Sequence, residues 1–332
     1  MQHRLAAGKE KIVVSVIVLT YNHEAYVRQA LDGILCQKVP FRYEILVGDD
    51  ASDDETPAIL QQYQALHPET IRLFLRKENV GPTRNAYELF TQARGDYIAT
   101  CEGDDYWTDE NKLRLQIGFL EAHPEYIGCS HPCLSVDERG QPTGKEKLDW
   151  ECTKETMTLK DFKGWLLPGQ VATLVRRNLY KDNPQLDLSF YYRAHAFIGD
   201  RTTGLMYLSQ GNFFRMQRCM SAYRIRNDAR SLSVRLYYDN AAWIQQDWKY
   251  TQALMDYAKN ELCVKVNFRC YLRHLSCNAL WAWLRKPSKE AWLLFWEIFK
   301  VSGCPLLTLG VLCKKVFRRL AYSLCGKRSI IE

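Results

Sequence analysis

Residues 12–19, Ile-Val-Val-Ser-Val-Ile-Val-Leu, make a nearly unbroken β-branched apolar run. That is the pattern of a strand buried on both faces of a parallel sheet. From 24 to 36 the period changes: Tyr26, Ala30, Ile34 and Leu35 fall on one side and Arg28, Gln29 and Asp32 on the other, as on an amphipathic helix. Tyr43-Glu44-Ile45-Leu46-Val47 reads as a second strand that runs into Gly48-Asp49-Asp50. Ser52-Asp53-Asp54-Glu55 predicts a helix start, with acids where the helix dipole favours them, and the helix continues through Ile59, Leu60, Tyr63 and Leu66. A third strand is predicted at 71–75, a helix from about Thr83 past Ala86, Leu89 and Phe90, and a fourth strand at 97–100. This alternation predicts a doubly wound α/β domain with right-handed crossovers and a binding crevice at the carboxyl ends of its strands. Further on, 111–120 reads as helix, 127–135 and 171–176 as strands, and the chain after 235 as helical and aromatic.

The polar residues that could carry chemistry fall at those strand ends: Thr20-Tyr21-Asn22 after the first, Asp49-Asp50 after the second, Glu102-Gly103-Asp104-Asp105 after the fourth. Three carboxylates within four residues repel one another unless a cation lies between them. Hard oxygen ligands suit Mg²⁺ or Mn²⁺, which usually work beside a bound phosphate. A solvated acidic turn is the plainer reading of the cluster alone. Solvated turns have no reason to coincide at the tips of three strands, and the coincidence points to a site.

Composition narrows the class. At 47% hydrophobic and 25% charged residues, the chain has the make-up of a soluble globular protein with a substantial core. The polar start, MQHRLAAGKEK, carries no visible secretory signal. The 12 cysteines are scattered without a CxxC pair and read as reduced thiols of a cytosolic protein. Cys129-Ser130-His131-Pro132-Cys133 lacks a second ligand pair at zinc spacing. Residues 261–332 hold 13 Lys/Arg against 4 Asp/Glu, so their net +9 exceeds the +7 of the whole chain and the rest is slightly acidic. Basic residues therefore lie away from the candidate chemistry, which argues against a nucleic-acid partner.

Taken in order, these segments resemble the family 2 glycosyltransferases. Val16-Ile17-Val18-Leu19-Thr20-Tyr21-Asn22 looks like that family's opening strand and loop, and Gly48-Asp49-Asp50-Ala51-Ser52-Asp53-Asp54 is similar to its second acidic motif. Asn79-Val80-Gly81 with Arg84-Asn85 resembles its Asn-x-Gly and Ala-Arg-Asn segment. Arg94-Gly95-Asp96-Tyr97, leading into Glu102-Gly103-Asp104-Asp105, resembles the approach to its metal-binding DxD motif. The resemblance runs from about 12 to about 233. It implies a GT-A fold, Rossmann-like with a mostly parallel sheet, in which 1–233 form the transferase domain: 12–110 the nucleotide-sugar half and 111–233 the acceptor half. Residues 234–332 would be a helical, basic, aromatic C-terminal region.

The same resemblance implies roles. Thr20, Tyr21, Asn22 and Glu24 would line the base and ribose pocket, with Asp49 and Asp50 at the nucleobase. Asp104 would bind Mn²⁺ or Mg²⁺ bridging the diphosphate of a UDP-sugar, with Gly103 inside the motif and Asp105 orienting the metal-binding carboxylate. Glu102 stands where the family more often has Asp, and its longer side chain would reach ribose rather than metal. Arg84 would contact the diphosphate or make a surface salt bridge. Inverting transfer needs a base for the acceptor hydroxyl. Asp200, in Phe197-Ile198-Gly199-Asp200, resembles the family's acidic motif opening a helix and would be that base, with Asp187 its nearest competitor and a helix cap its structural alternative. Met220-Ser221-Ala222-Tyr223-Arg224-Ile225-Arg226 resembles the closing strand, with Arg226 where the family commonly has His, and loop 224–233 would close over the donor.

The expected activity is an inverting, metal-dependent transfer from a nucleotide-sugar to a glycan or lipid-linked acceptor in surface polysaccharide synthesis. A nucleotidyltransferase would want a Gly-rich phosphate loop where Thr20-Tyr21-Asn22-His23-Glu24 stands. A non-catalytic nucleotide-sugar or cation-binding module is the alternative on the same fold. The C-terminal region mixes Trp281, Trp283, Trp292, Phe295, Trp296, Phe299 and Phe317 with Lys/Arg, and its apolar stretches are too short to span a bilayer. Two readings stay open for it. Its helices lie on an anionic membrane surface, aromatic side down, with Lys314, Lys315, Arg318 and Arg319 near lipid, which would make a cytoplasmic protein peripheral on the inner face. Or they pack on the transferase domain with their basic side in water.

Overall fold

The computed structural model describes residues 11–143, 154–165, 171–182, 186–226, 241–303 and 310. The chain opens with β1 (Ile12–Thr20), α1 (Val27–Leu35), β2 (Arg42–Asp49), α2 (Thr56–Leu66), β3 (Ile71–Leu75), α3 (Pro82–Gln92) and β4 (Tyr97–Glu102). These strands lie in the order β3-β2-β1-β4, all parallel. The order grows outward from β1 on one side and then resumes on its other side at β4. The topological switch point, where ligands bind in such sheets, is therefore between β1 and β4.

Alternation along the strands sorts the core into two layers. Val14, Val16 and Val18 of β1 pack with Val27, Leu31 and Ile34 of α1 and with Ile59 and Leu60 of α2. Ile17 of β1 and Leu46 of β2 pack on the opposite face with Ala86, Leu89 and Phe90 of α3. Each such side chain contributes about 1.5–3 kcal/mol by leaving water. The same pleat aims the end of β4: Ala99 and Cys101 join the first layer, so Thr100 and Glu102 project on the α3 side.

Beyond β4 come β5 (Tyr106–Trp107), α4 (Lys112–Ala122), β6 (Tyr126–Ser130), β7 (Leu134–Val136), β8 (Thr156–Met157), β9 (Val175–Arg177), α5 (Leu179–Asp182), α6 (Phe190–Arg193), α7 (Asp200–Leu208), β10 (Asn212–Arg215) and β11 (Ser221–Arg224). The large sheet continues β4-β9-β6-β10-β8, with β9 antiparallel to both neighbours, and a small sheet has the order β5-β11-β7. The strand expected at 127–135 is two strands in different sheets. Pro132 lies between them and offers no N–H to a ladder. The strand expected at 171–176 is a 3₁₀ turn, Val171–Thr173, followed by β9. The helix expected from Ser52 begins at Thr56, with a proline in its first turn.

The chain divides into two compact units, Met1–Leu159 with Leu166–Arg226, and Lys160–Trp165 with Asn227–Glu332. Within the second, α8 (Ala241–Asn260), α9 (Arg269–Arg285) and α10 (Lys289–Val301) carry the aromatic residues from Trp281 to Phe299. Trp248 Nε1 donates to Glu297 Oε1 (2.7 Å), the Tyr271 hydroxyl donates to the Asp247 carboxylate, and Ser288 Oγ caps α10 by accepting from the Ala291 N–H. Among the described residues, no helix is long and apolar enough to cross a membrane. Phe317, Lys314, Lys315, Arg318 and Arg319, and the loop beyond 226, lie outside the described residues.

Candidate active site

Two loops at the carboxyl edge of the sheet are stitched to each other. Thr20 Oγ1 donates to Asp49 Oδ1 (2.9 Å), which also accepts from Ser52 Oγ (2.5 Å), while Asp49 Oδ2 accepts the Ser52 N–H (3.0 Å). Asn22 sits in the left-handed region (φ 56°), as Asn tolerates, and so does Ala51 (φ 61°). Asn22 Oδ1 accepts the Asp53 N–H (3.0 Å), and Glu24 Oε2 accepts the Glu55 N–H (2.9 Å). Asp50 uses both oxygens on the next loop, accepting from the Val80 and Gly81 N–H groups (2.8 and 3.0 Å). Thr20, Asn22, Glu24, Asp49 and Asp50 thus converge, and their side-chain hydrogen bonds build the edge. Tyr21 is the exposed aromatic among them.

The acidic loop after β4 is held close beneath them. The Gly103 N–H donates to the Leu19 carbonyl (2.8 Å). A Cβ on Gly103 would lie 2.7 Å from both His23 Nδ1 and Thr20 Cγ2, so only glycine fits there. Asp104 extends toward His23 Nε2 (3.6 Å) and pairs with Arg226 Nη1 (3.2 Å). Asp105 is buried. Its Oδ1 accepts the Arg224 N–H (2.9 Å), and its Oδ2 has no hydrogen-bond partner among the described residues. Burial, reinforced by the Asp104 charge, pushes the Asp105 carboxyl well above the usual carboxylate range.

Glu102, on the α3 side, faces a crevice of about 590 Å³ counted with its open mouth. Ile17, Leu19, Ala86, Phe90 and Leu174 form its apolar wall, and Glu102, Arg176 and Asp200 bring the charges. Desolvation, then the charges of Asp104 and Asp200, push Glu102 up to about 8. Asp200 opens α7 with Gly199 at the cap position. It is an exposed residue that lines the crevice. Desolvation raises its carboxyl, and the Arg176 charge opposes the rise. The mouth is braced by Thr83 Oγ1, which donates to the His195 and Ala196 carbonyls (2.8 Å each).

Other expected residues go elsewhere. Arg84 lies on the exposed face of α3 in an i,i+4 pair with Glu88 (3.1 Å), a pair of small energetic weight. Asp187 accepts from the Ser189 N–H and hydroxyl ahead of α6 and pairs with Arg193, and it does not line the crevice.

Four residues escaped the sequence reading. His23 is buried, with Nδ1 unpartnered among the described residues, and burial holds its imidazole below the ordinary value against the pull of Asp104. Arg224 donates to the Asp104, Asp137 and Glu138 carbonyls and to Gln29 Oε1, under the rings of Tyr26 and Tyr106. Arg176 is buried between Phe90 and Tyr207, 5.1 Å from each ring centroid. Lys112 of α4 is fully buried; its ammonium donates to Gln116 Oε1 (2.7 Å), lies 4.1 Å from the Trp107 ring centroid, and is pushed down to about 7 by burial. Arg176 follows the apolar pair Leu174-Val175 but is joined by Arg177, so the sequence carried no clear signal to single it out. His23 is flanked on both sides by residues that the motif did name.

The fit of a divalent ion follows from these donors. Among the described residues, no three carboxylate, imidazole or thiolate groups form a cage. Asp104 offers one carboxylate, and buried Asp105 Oδ2 is an unused acceptor beside it. Mg²⁺-type sites commonly take one or two carboxylates and complete their shell with phosphate and water. The residues therefore fit an ion that is held jointly with a phosphorylated ligand.

Comparison with known proteins places this arrangement. A family model described as Glycosyl transferase family 2 matches residues 15–183. An uncharacterized protein of Mycobacterium tuberculosis (strain H37Rv) is 44% identical over 127 residues, 38% of this chain and 37% of that protein, so the match spans little more than a third of that relative. TuaG of Bacillus subtilis, whose name assigns it to teichuronic acid biosynthesis as a glycosyltransferase, is 27% identical over 221 residues, 66% of this chain and 81% of that protein. The crystal structure of Staphylococcus aureus TarS 1–349 in complex with UDP-GlcNAc superimposes with a TM-score of 0.53 at 19% identity, covering 88% of this chain and 90% of that one. The structural likeness bears on the fold alone.

Proposed function

We propose, for a chain that belongs to glycosyl transferase family 2, inverting transfer of a sugar from a UDP-sugar to a hydroxyl of a glycan or lipid-linked acceptor. The observation that carries the reading is the meeting of carboxylates from separate elements at the switch point: Glu102 from β4 and Asp200 from α7 in one crevice, with Asp104 round the same tip. TarS, captured with UDP-GlcNAc, and TuaG, named for teichuronic acid biosynthesis, support the donor type and a role in surface polysaccharide assembly.

In this reading Tyr21, exposed at the rim, stacks on the base, while Thr20, Asn22, Glu24, Asp49 and Asp50 keep the pocket edge in shape. Asp104, with Asp105 behind it, would hold Mn²⁺ or Mg²⁺ against the diphosphate, and that ion would supply positive charge to the leaving group. Arg226 leaves Asp104 and turns to the diphosphate, and Arg84 reaches it only by leaving Glu88. Glu102 accepts from a sugar or ribose hydroxyl. Asp200 takes the proton of the acceptor hydroxyl as that oxygen bonds to the anomeric carbon and the bond to the diphosphate breaks. Residues 12–110 serve the donor, 111–233 the acceptor, and 234–332 attach the enzyme to the cytoplasmic membrane face where a lipid-linked acceptor would lie.

A panel of nucleotide-sugars tests this by thermal shift with and without Mn²⁺. One UDP-sugar is expected to stabilise the protein by about 2.7 kcal/mol at a hundred times its Kd, and only with the ion. No stabilisation by any nucleotide-sugar, or stabilisation indifferent to Mn²⁺, refutes it.

A further inference from the structure

Helix α10 has two apolar faces. Ala291, Leu294, Phe295 and Ile298 are buried against its own unit. A helix in water needs only one such stripe, with polar residues opposite. Here the opposite stripe reads Lys289, Leu293, Trp296, Lys300, with Trp292 beside it, at i, i+4, i+7 and i+11. Leu293 is 57% exposed, Trp296 38% and Trp292 37%. The rings are ordered as a continuous patch: Trp283 lies 4.7 Å from Trp292, and Trp292 lies 5.6 Å from Trp296. Leu284, at the end of α9, extends the patch and is 45% exposed.

Charge selects the occupant. Lysines close the stripe at both ends, and Arg285 and Lys286 follow Leu284. The two acids of α10, Glu290 and Glu297, fall to one side of the stripe, and Glu297 is already engaged by Trp248 Nε1. A second copy meeting this face would set lysine stripe against lysine stripe, which is repulsive. Indole rings beside lysines on the outward face of a helix match the interfacial region of a bilayer, where the rings sit at headgroup level and the ammonium groups meet anionic lipid. We propose that the Trp292–Leu293–Trp296 face of α10, bounded by Lys289 and Lys300, is an interfacial anchor that rests on an anionic lipid surface. Binding of this face to lipid needs no donor or acceptor sugar, so its test is separate from that of the transfer reaction.

Flotation of the full chain with vesicles decides it. Vesicles of phosphatidylcholine with phosphatidylglycerol are expected to bind the protein at least about tenfold better than phosphatidylcholine alone, and added salt should weaken that binding. The triple variant Trp292→Ser, Leu293→Ser, Trp296→Ser is expected to lose at least about tenfold in vesicle partitioning, because the lost rings would have buried much apolar surface in lipid. Its melt should stay cooperative, lowered by the ring contacts that Trp292 makes with Trp283 and Trp296 with Phe299, since none of the three belongs to the buried face. If the triple variant does not melt cooperatively, Lys289→Glu with Lys300→Glu decides instead, with loss of the preference for anionic vesicles expected. Undiminished partitioning of the folded triple variant, equal binding to neutral vesicles, or self-association that the triple variant abolishes without vesicle binding would each overturn the proposal.

Discussion

Replacing Gly103 with alanine should disable the site without unfolding the protein, and the size of the effect follows from three contacts. The added Cβ would lie 2.7 Å from His23 Nδ1, 2.7 Å from Thr20 Cγ2 and 3.0 Å from the Leu19 carbonyl oxygen, where ordinary contact begins at 3.4 Å. The gap to be opened is 3.4 − 2.7, or 0.7 Å. Neither neighbour can yield freely: Thr20 is tied by its hydroxyl to Asp49, and His23 by its N–H to Thr56 Oγ1 (2.9 Å). The acidic loop must therefore move instead and carry Asp104 with it. A misplacement approaching 1 Å costs about 10²-fold in rate, or about 2.7 kcal/mol of barrier. Overpacking at this rim should lower stability by about 1–3 kcal/mol. Steady-state transfer kinetics and a thermal melt on the same preparation measure both quantities. His23→Ala added to Gly103→Ala should recover part of the loss as a coupling between neighbours. Parental kcat/KM in the single variant, with an unchanged melt, would refute the claim that this loop has no room to move.

Other expectations follow from the same geometry. Asp200→Asn should lower transfer by about 10²- to 10⁴-fold with donor binding unchanged in calorimetry; a drop below about tenfold would remove Asp200 as base. Arg176→Met removes the cation that opposes the upward shift of the Asp200 carboxyl, so the base stays protonated to higher pH and the acidic limb of the kcat/KM profile should move up; an unmoved limb excludes that coupling. Lys112 is held near 7 in the fold against an ordinary 10.5, so the unfolded chain binds the extra proton between those values and this group destabilises the native state fully below about 7 and less as pH rises toward 10.5. The shift of 10.5 − 7, or 3.5 units, corresponds to about 5 kcal/mol, partly offset by the Gln116 hydrogen bond and the Trp107 ring. Lys112→Met should accordingly raise denaturant stability at pH 7 by about 1–4 kcal/mol, the range for replacing buried charge with apolar side chains, with the advantage shrinking toward pH 10; a destabilised variant at pH 7 would contradict this.

The first half of the fold was legible because its strands bury both faces and its helices one. The run Ile-Val-Val-Ser-Val-Ile-Val-Leu and the spacing of Ala30 and Ile34 state β1 and α1 almost to their ends. Residues 127–136 were not legible, because pairing partners rather than local pattern decide that two short strands on either side of Pro132 join different sheets. In the site, the acids announced themselves by clustering at strand tips. What the sequence could not convey was how they are engaged: Asp49 and Asp50 spend their oxygens on loop N–H and hydroxyl groups, Glu102 and Asp104 diverge across the tip, and Arg226 already holds Asp104. Arg176, Arg224 and His23 act through contacts with residues far along the chain, and spacing does not encode those.

The insertion of β9 between β4 and β6 has a consequence for the order of assembly. Val16 meets Ile45 across β1 and β2, 29 positions apart, whereas Ile98 meets Arg176 across β4 and β9, 78 positions apart. Longer loop closure is entropically dearer and slower. The β1–β2 pair should therefore zip early, and the longer closures, β4 on β1 (Val16 with Ala99, 83 positions apart) and β9 on β4, should follow it. Pulse-labelled hydrogen exchange should protect Val16 and Leu46 before Val175; simultaneous protection would refute that order. A chain leaving the ribosome would then hold its β1–β2 pair well before Arg176 walls the crevice.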